Sequence, residues 1–252
     1  MMSEYSMDNG QSKIDSFYTI DDSEFEGGTK RKKNQFALDE SQKLNLKVKE
    51  YQKIVKKAHV EFGANKMFED NMFPAINASL FENAQDMKCV IDEVKHISWV
   101  RPSVIDPDCR FYNQYNILEN KEIAQGLLSN QNFCNALLMI PWSVIPNLLV
   151  DVHNMDMGYV SFNFFKNGEW RYVIVDTLIP YSHQNKSPLY SFNSNSQLFF
   201  IALLEKAYAK LNGGYDKIAN ISVEDIVVDF TNGIFTKINF SDNDDTLVSI
   251  IH

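Results

Sequence analysis

Residues 196–215 read SQLFFIALLEKAYAKLNGGY. Phe199, Phe200, Leu203, Leu204, Ala207, Tyr208 and Leu211 recur at spacings of three and four, which predicts a helix from about Ser196 to Leu211 with a broad buried face. Gly213 and Gly214 supply its stop signal. Upstream, Val160, Phe162 and Phe164 alternate with Ser161 and Asn163, Asn167-Gly168 supplies a turn needing positive φ, and Trp170 to Asp176 reads as the returning strand of a β-hairpin. Before that, Phe133, Ala136, Leu137 and Ile140 predict a helix that begins near Gln131 and stops at Pro141. Helix, hairpin and helix in that order indicate an α+β fold, not a doubly wound sheet. No internal repeat is visible.

Towards the N-terminus the character changes. Residues 1–36 are rich in Ser, Asp, Glu, Gly and Lys without periodicity and read as a disordered arm. The segment 37–64 reads as an amphipathic helix over about Ser41 to Phe62. Leu44, Val48, Tyr51, Val55, Ala58 and Phe62 line one of its faces, Asp39 or Ser41 caps it, and Gly63 stops it. Fewer than three heptads are present, so the stripe reads as packing against a core and not as a coiled-coil seam. The rest divides into a core over 65–234 and a tail or stub over 235–252.

The chain has 252 residues, a formal charge of −9, and hydrophobic and aromatic fractions of 44% and 13%. Those values fit a globular domain and argue against a general nucleic-acid binder. The basic run Lys30-Arg31-Lys32-Lys33 reads as a solvated part of the arm. The apolar stretch Phe133 to Val150 is broken by Pro141, Ser143, Pro146 and Asn147 and reads as core, not as a membrane span. Cys89, Cys109 and Cys134 are widely spaced and odd in number, so neither a disulfide framework nor a zinc site is indicated, and a reducing cytoplasmic setting is the default. The polar N-terminus, Met1 to Asp22, has no secretory h-region. Glycine-rich phosphate loops, HExxH and GxSxG are absent. Asp242, Asp244 and Asp245 lack the turn glycine and distal glutamate of a calcium loop. The histidines at 59, 96, 153, 183 and 252 are scattered. Residue chemistry alone gives an α+β domain with no cofactor.

Five blocks, in order, resemble the protease core of the calpain family, a papain-like cysteine protease fold. FEDNMFPA at 68–75, followed by Ser79-Leu80-Phe81, resembles F-x-D-x-x-F-P-A with S-L. ISWVRPS at 97–103 resembles W-x-R-P. GYVSFNFFKNGEW at 158–170, with Val173 to Asp176 and Leu178-Ile179-Pro180, resembles the family's hairpin. ALLEKAYAKL at 202–211 with Gly214-Tyr215 is the closest of the blocks, and DFTNGI at 229–234 resembles the segment closing the first, mainly helical, subdomain.

The resemblance also locates departures. The family's nucleophile block, Q-G-x-L-G-D-C-W, matches QGLLSNQN at 125–132. Gln125 keeps the oxyanion-hole glutamine, and Gly126 and Leu128 keep the frame, but Gln131 stands at the cysteine position and Asn132 at the tryptophan position. A carboxamide forms no thiolate. Cys134 lies about one turn further on, where the family has a core leucine, and reads as a buried apolar residue. Only 121 residues follow Gln131, so the second subdomain, with its histidine and asparagine, is expected to be missing or vestigial. The resemblance implies calcium ligation in the first subdomain as well. Glu122 can still ligate, whereas the second position falls on Leu198, which has no side-chain oxygen.

These readings imply a non-catalytic calpain-like pseudoprotease that scaffolds protein partners, with a cytoskeletal or ciliary assembly as the specific expectation. One alternative is a regulatory half-core that pairs with, or modulates, an active calpain-type chain. Another is a calcium-dependent cysteine endopeptidase using Cys134. The interaction candidates are Leu44, Val48, Tyr51, Val55, Ala58 and Phe62. Deleting residues 1–36 should leave the melting temperature nearly unchanged. Val48→Asp combined with Val55→Asp should lower it sharply if the stripe is core, or leave it unchanged and abolish partner recovery if the stripe docks a partner. A double variant that is equally stable and binds every partner would place the stripe against solvent.

Overall fold

Eight strands and five α-helices, joined by single 3-10 turns, make up the described part of the protein in a computed structural model. The structure describes residues 49, 53, 67–82, 97–111, 123–128, 130–141, 143–151, 155–195 and 197–236. The chain divides into two units, Met1–Glu40 and Ser41–His252, and all described residues belong to the second. The arm and the tail over 237–252 lie outside the described residues. So do the six stripe residues, although Lys49 and Lys53 between them are helical and exposed. Among the described residues no helix is long and apolar enough to cross a membrane.

The hairpin forms where alternation and turn chemistry place it. β4 (Tyr159–Lys166) and β5 (Glu169–Asp176) pair antiparallel from Tyr159↔Asp176 to Lys166↔Glu169. Asn167 and Gly168 both take positive φ, 54° and 84°, the two-residue turn that matches strand twist. β3 (Leu149–Asp151) adds to the other side of β4. A second sheet runs β1 (Ile97–Val100), β6 (Ile179–Ser182), β7 (Ser187–Pro188). β2 (Ile123–Ala124) pairs with β8 (Phe192–Asn193).

The short α1 (Pro102–Ile105) follows β1 directly. α2 (Gln131–Met139) starts and stops as the sequence indicates, because Pro141 holds Ile140 extended at φ −73°, ψ 129°. α3 (Phe200–Asn212) is buried continuously from Phe200 to Ala209. It begins later than the predicted Ser196, because the preceding backbone is used elsewhere. Arg110 N–H donates to Gln197 O (2.7 Å) and Phe199 N–H to Arg110 O (3.1 Å), forming a bridge, and Asn193 Oδ1 then accepts from Ile201 N–H (3.1 Å) at the helix start. α4 (Tyr215–Ile218) and α5 (Val223–Thr231) complete the order. α5 is capped by Ser222, whose hydroxyl accepts from Asp225 N–H (3.1 Å).

Phe133, Phe164, Tyr208 and Phe230 bring α2, β4, α3 and α5 into one aromatic core. The charged groups buried beside that core are hydrogen-bonded. Lys206 Nζ meets Asp176 Oδ1 (2.5 Å) and Leu178 O (2.6 Å), and lies 5.2 Å from the centre of the Trp99 ring. Asp176 also accepts from the N–H groups of Asp70 and Leu178, each at 2.8 Å. Arg101 binds Phe68 O, Thr177 Oγ1 and Gly158 O. The 67–82 segment is thereby fastened to the start of β4 and the end of β5.

Asp176→Asn leaves Lys206 enclosed without its counter-charge and should lower unfolding free energy by about 3–5 kcal/mol. Arg171→Ala breaks an exposed pair with Glu169 and should cost less than about 1 kcal/mol. Urea denaturation measures both, and equal losses would show that the Lys206 pair does not hold the core.

Candidate functional site

The Gln125–Gln131 segment is laid down by backbone pairing. β2 aligns Ile123 with Asn193 and Ala124 with Phe192, and Leu128 N–H donates to Leu189 O (2.8 Å), so residues 123–128 run antiparallel along 189–193. Gly126 sits at the closest approach. A Cβ there would lie 2.2 Å from Tyr190 O and 2.5 Å from Leu189 O, so any side chain would force the two backbones apart. The sequence needs glycine here for contact, independently of chemistry at residue 131.

Asn130 then enters the core at 2% exposure, immediately before α2. Its amide does not cap the helix. Nδ2 donates instead to Glu205 Oε1, while Ser191 N–H donates to Glu205 Oε2 (2.7 Å). Glu205, fully enclosed on α3, therefore ties the loop before α2 to the segment before β8. Burial pushes its carboxyl up from 4.5 to about 7, against the opposing pull of hydrogen bonds from Asn130 and Ser191.

Gln125 and Gln131 are both exposed, Gln131 as the first residue of α2. Asn132 turns to Ile221 O (2.9 Å), holding α2 to the turn before α5. Cys134 is buried, with its thiol 3.1 Å from Ser191 Oγ, and burial raises its pKa. A thiol so placed has neither the access nor the thiolate character of a nucleophile. Cys109 is half-buried and its thiol is likewise raised, first by burial and then by Asp106. His183 is exposed, and its ring is bonded to Ser98 Oγ (2.6 Å).

Glu122 lies outside the described residues, as do Asp242, Asp244 and Asp245. Leu198 is half-buried in the bridge to Arg110 and offers only hydrocarbon. Among the described residues, no group of three His, Cys, Asp or Glu side chains is placed to hold a metal ion. The residue at 198 does not fit the calcium ligation that the resemblance implies. Sequence reasoning passed over Glu205, Asn130 and Ser191. The available signal was a glutamate set between Leu204 and Ala207 within the broad apolar face of α3.

A family profile described as calpain family cysteine protease matches residues 68–252. The chain is 32% identical over 189 residues to calpain-5 of Mus musculus, covering 71% of this chain and 28% of that protein. It is 30% identical over 200 residues to a calpain of Schistosoma mansoni, covering 76% and 24%. Over 204 residues it is 28% identical to the calpain-type cysteine protease DEK1 of Zea mays, covering 78% and 9%. The chain thus spans between 9% and 28% of the length of these relatives.

Glu205 gives the fold a pH dependence of definite sign. Its folded value lies above its unfolded value, so the folded chain holds a proton that the unfolded chain has lost between about 4.5 and about 7. The stability this proton confers is complete below about pH 4.5 and is lost as pH rises through about 7. The change is on the order of 3 kcal/mol. Denaturation of the wild type and Glu205→Gln across that window should show the slope in the wild type and its absence in the variant.

Proposed function

The chain belongs to the calpain family of cysteine proteases, and we propose that it is a non-catalytic member whose core serves as a protein-interaction module. One observation carries the reading. At the head of α2, where the resemblance puts the nucleophile, an exposed carboxamide, Gln131, stands in place of a thiol. A helix N-terminus favours a thiolate, but an amide has no proton to lose in the accessible range. Gln125 supplies a second exposed amide in the same segment, and Cys134 is turned into the core. The segment's frame is intact at Gly126 and Leu128, which supports retention of the surface without the reaction. A cytoskeletal or ciliary assembly remains the specific partner class we propose, by analogy with inactive calpain-like proteins.

The purified chain should not cleave calpain substrates, with or without calcium. Cleavage abolished by a thiol alkylator would overturn the reading. Gln131→Cys should be alkylated at residue 131 much faster than at Cys134, as peptide mapping by mass spectrometry would show. Comparable rates would mean that residue 131 is not presented at an accessible helix head. Affinity recovery with crosslinking should return structural proteins, and calpain-type chains in their place would favour a regulatory partner role.

A further inference from the structure

The hydrogen-bond inventory around Glu205 is incomplete at one atom. Asn130 is 2% exposed, its Nδ2 is engaged with Glu205, and its Oδ1 is buried without a partner among the described residues. Around the carboxyl stand Asn130 and Cys134 from α2, Ser191 and Tyr190 from the segment before β8, and Tyr215 from α4. Lys206, the next residue of α3, is committed to Asp176. No cation among the described residues bonds Glu205, so its ionised form is held by neutral donors alone.

We propose that Glu205 and Asn130 form a proton-linked switch at the head of α2, in which proton uptake by Glu205 turns the Asn130 carboxamide over. The steps follow from donor and acceptor matching. With Glu205 ionised, Oε1 accepts from Asn130 Nδ2 and Oε2 from Ser191 N–H, and the Ser191 hydroxyl, which also meets Cys134 Sγ, is a further donor to the carboxyl. One proton from solvent converts Oε1 into a hydroxyl, while Oε2 keeps the Ser191 bond as a carbonyl oxygen. The new O–H then faces an N–H donor. A half-turn of the amide brings Oδ1 round to accept it, with no covalent change, and an amide's orientation is set by this matching. Nδ2 moves to the place Oδ1 has left. The buried atom that Asn130 presents away from Glu205 changes from an acceptor to a donor, one residue before Gln131. The burial-raised carboxyl places this exchange near neutral pH. The inference does not depend on whether the chain cleaves peptides.

The test uses the full chain labelled with 15N and with carboxyl-13C glutamate. Side-chain amide spectra and isotope-edited infrared spectra are recorded from about pH 5 to about pH 9, a range that brackets neutrality. Asn130→Ser assigns the Asn130 NH2 pair, and Glu205→Gln assigns the protonated carboxyl band. The NH2 pair should move between two positions with the same midpoint as the carboxyl band, and should stop titrating in Glu205→Gln. A carboxyl that titrates while the NH2 pair stays fixed overturns the proposal. So does an NH2 titration unchanged in Glu205→Gln, or the absence of any buried carboxyl transition. Should Glu205→Gln fail to fold, the two wild-type midpoints decide, and their disagreement overturns the proposal.

Discussion

Lys206 has no exposed surface, and its charge must be met inside the protein. Taking an ammonium out of water costs several kcal/mol, and only a counter-charge in good geometry with further hydrogen bonds can offset that cost. Asp176 supplies the charge, Leu178 O an acceptor, and the Trp99 face a further attraction. Burial still pulls the Lys206 ammonium down, against the opposing effect of Asp176. These partners come from β1 and from the passage between β5 and β6, both far from α3 in sequence. β1, the end of β5, the turn into β6 and α3 must all be in place before any of them is satisfied. The same Asp176 receives the backbone N–H of Asp70, so the 67–82 segment joins the same condition. A contact of this kind selects one arrangement of the segments more than it adds net stability.

α3 repeats the device along its length. Tyr208 donates to Asp229 (2.7 Å), which Lys166 also reaches (2.5 Å), joining α5 to β4. Lys210 reaches Asp70 (2.6 Å) and Ile174 O (2.7 Å). Glu205 joins the loop before α2 to the segment before β8. Polar side chains on a helix buried almost all round have to find partners, and here the partners are spread over several neighbouring elements. The α+β arrangement is therefore organised around one helix whose charged residues act as fasteners between layers.

This explains what could be read in the chain and what could not. Asn167-Gly168 and Pro141 act on their own backbone, so the hairpin and the end of α2 were legible from local rules. The start of α3 was not, because Arg110, far away in sequence, occupies the backbone of Gln197 and Phe199. β1 and β6 have four residues each, with β1 half-buried throughout and β6 buried at all but Tyr181, so no alternation marked them. α5 carried a legible cap, Ser222 with Glu224 and Asp225 in its first turn, but lay among turn-like residues. At the candidate site, Gln125, Gly126 and Gln131 were visible through the resemblance. Glu205 was not, since an acid at helical spacing looks the same in sequence whether it meets water or an enclosed Asn130.

On the proposed reading, the placement of Gln131 bears on how a protease core could lose its nucleophile and keep its shape. Among the described residues, the contacts that fix the Gln125–Gln131 segment lie in atoms other than the residue 131 side chain. Gly126 is required by the nearness of Tyr190 and Leu189, Leu128 is held through its backbone, and Asn130 is held by Glu205. The side chain at 131 points to solvent. Exchanging it removes no buried contact and leaves no cavity, so the exchange costs the fold little. Asn132 differs in this respect. It bonds Ile221 O across the gap to α5, and an amide there fills a structural role that a larger aromatic ring would have to fill by packing. On the proposed reading, selection against the reaction could act at 131 without cost, whereas change at 132 had to be matched by its neighbours. The exposed surface of this segment would then be free to change, because the network behind it does not depend on what the surface does.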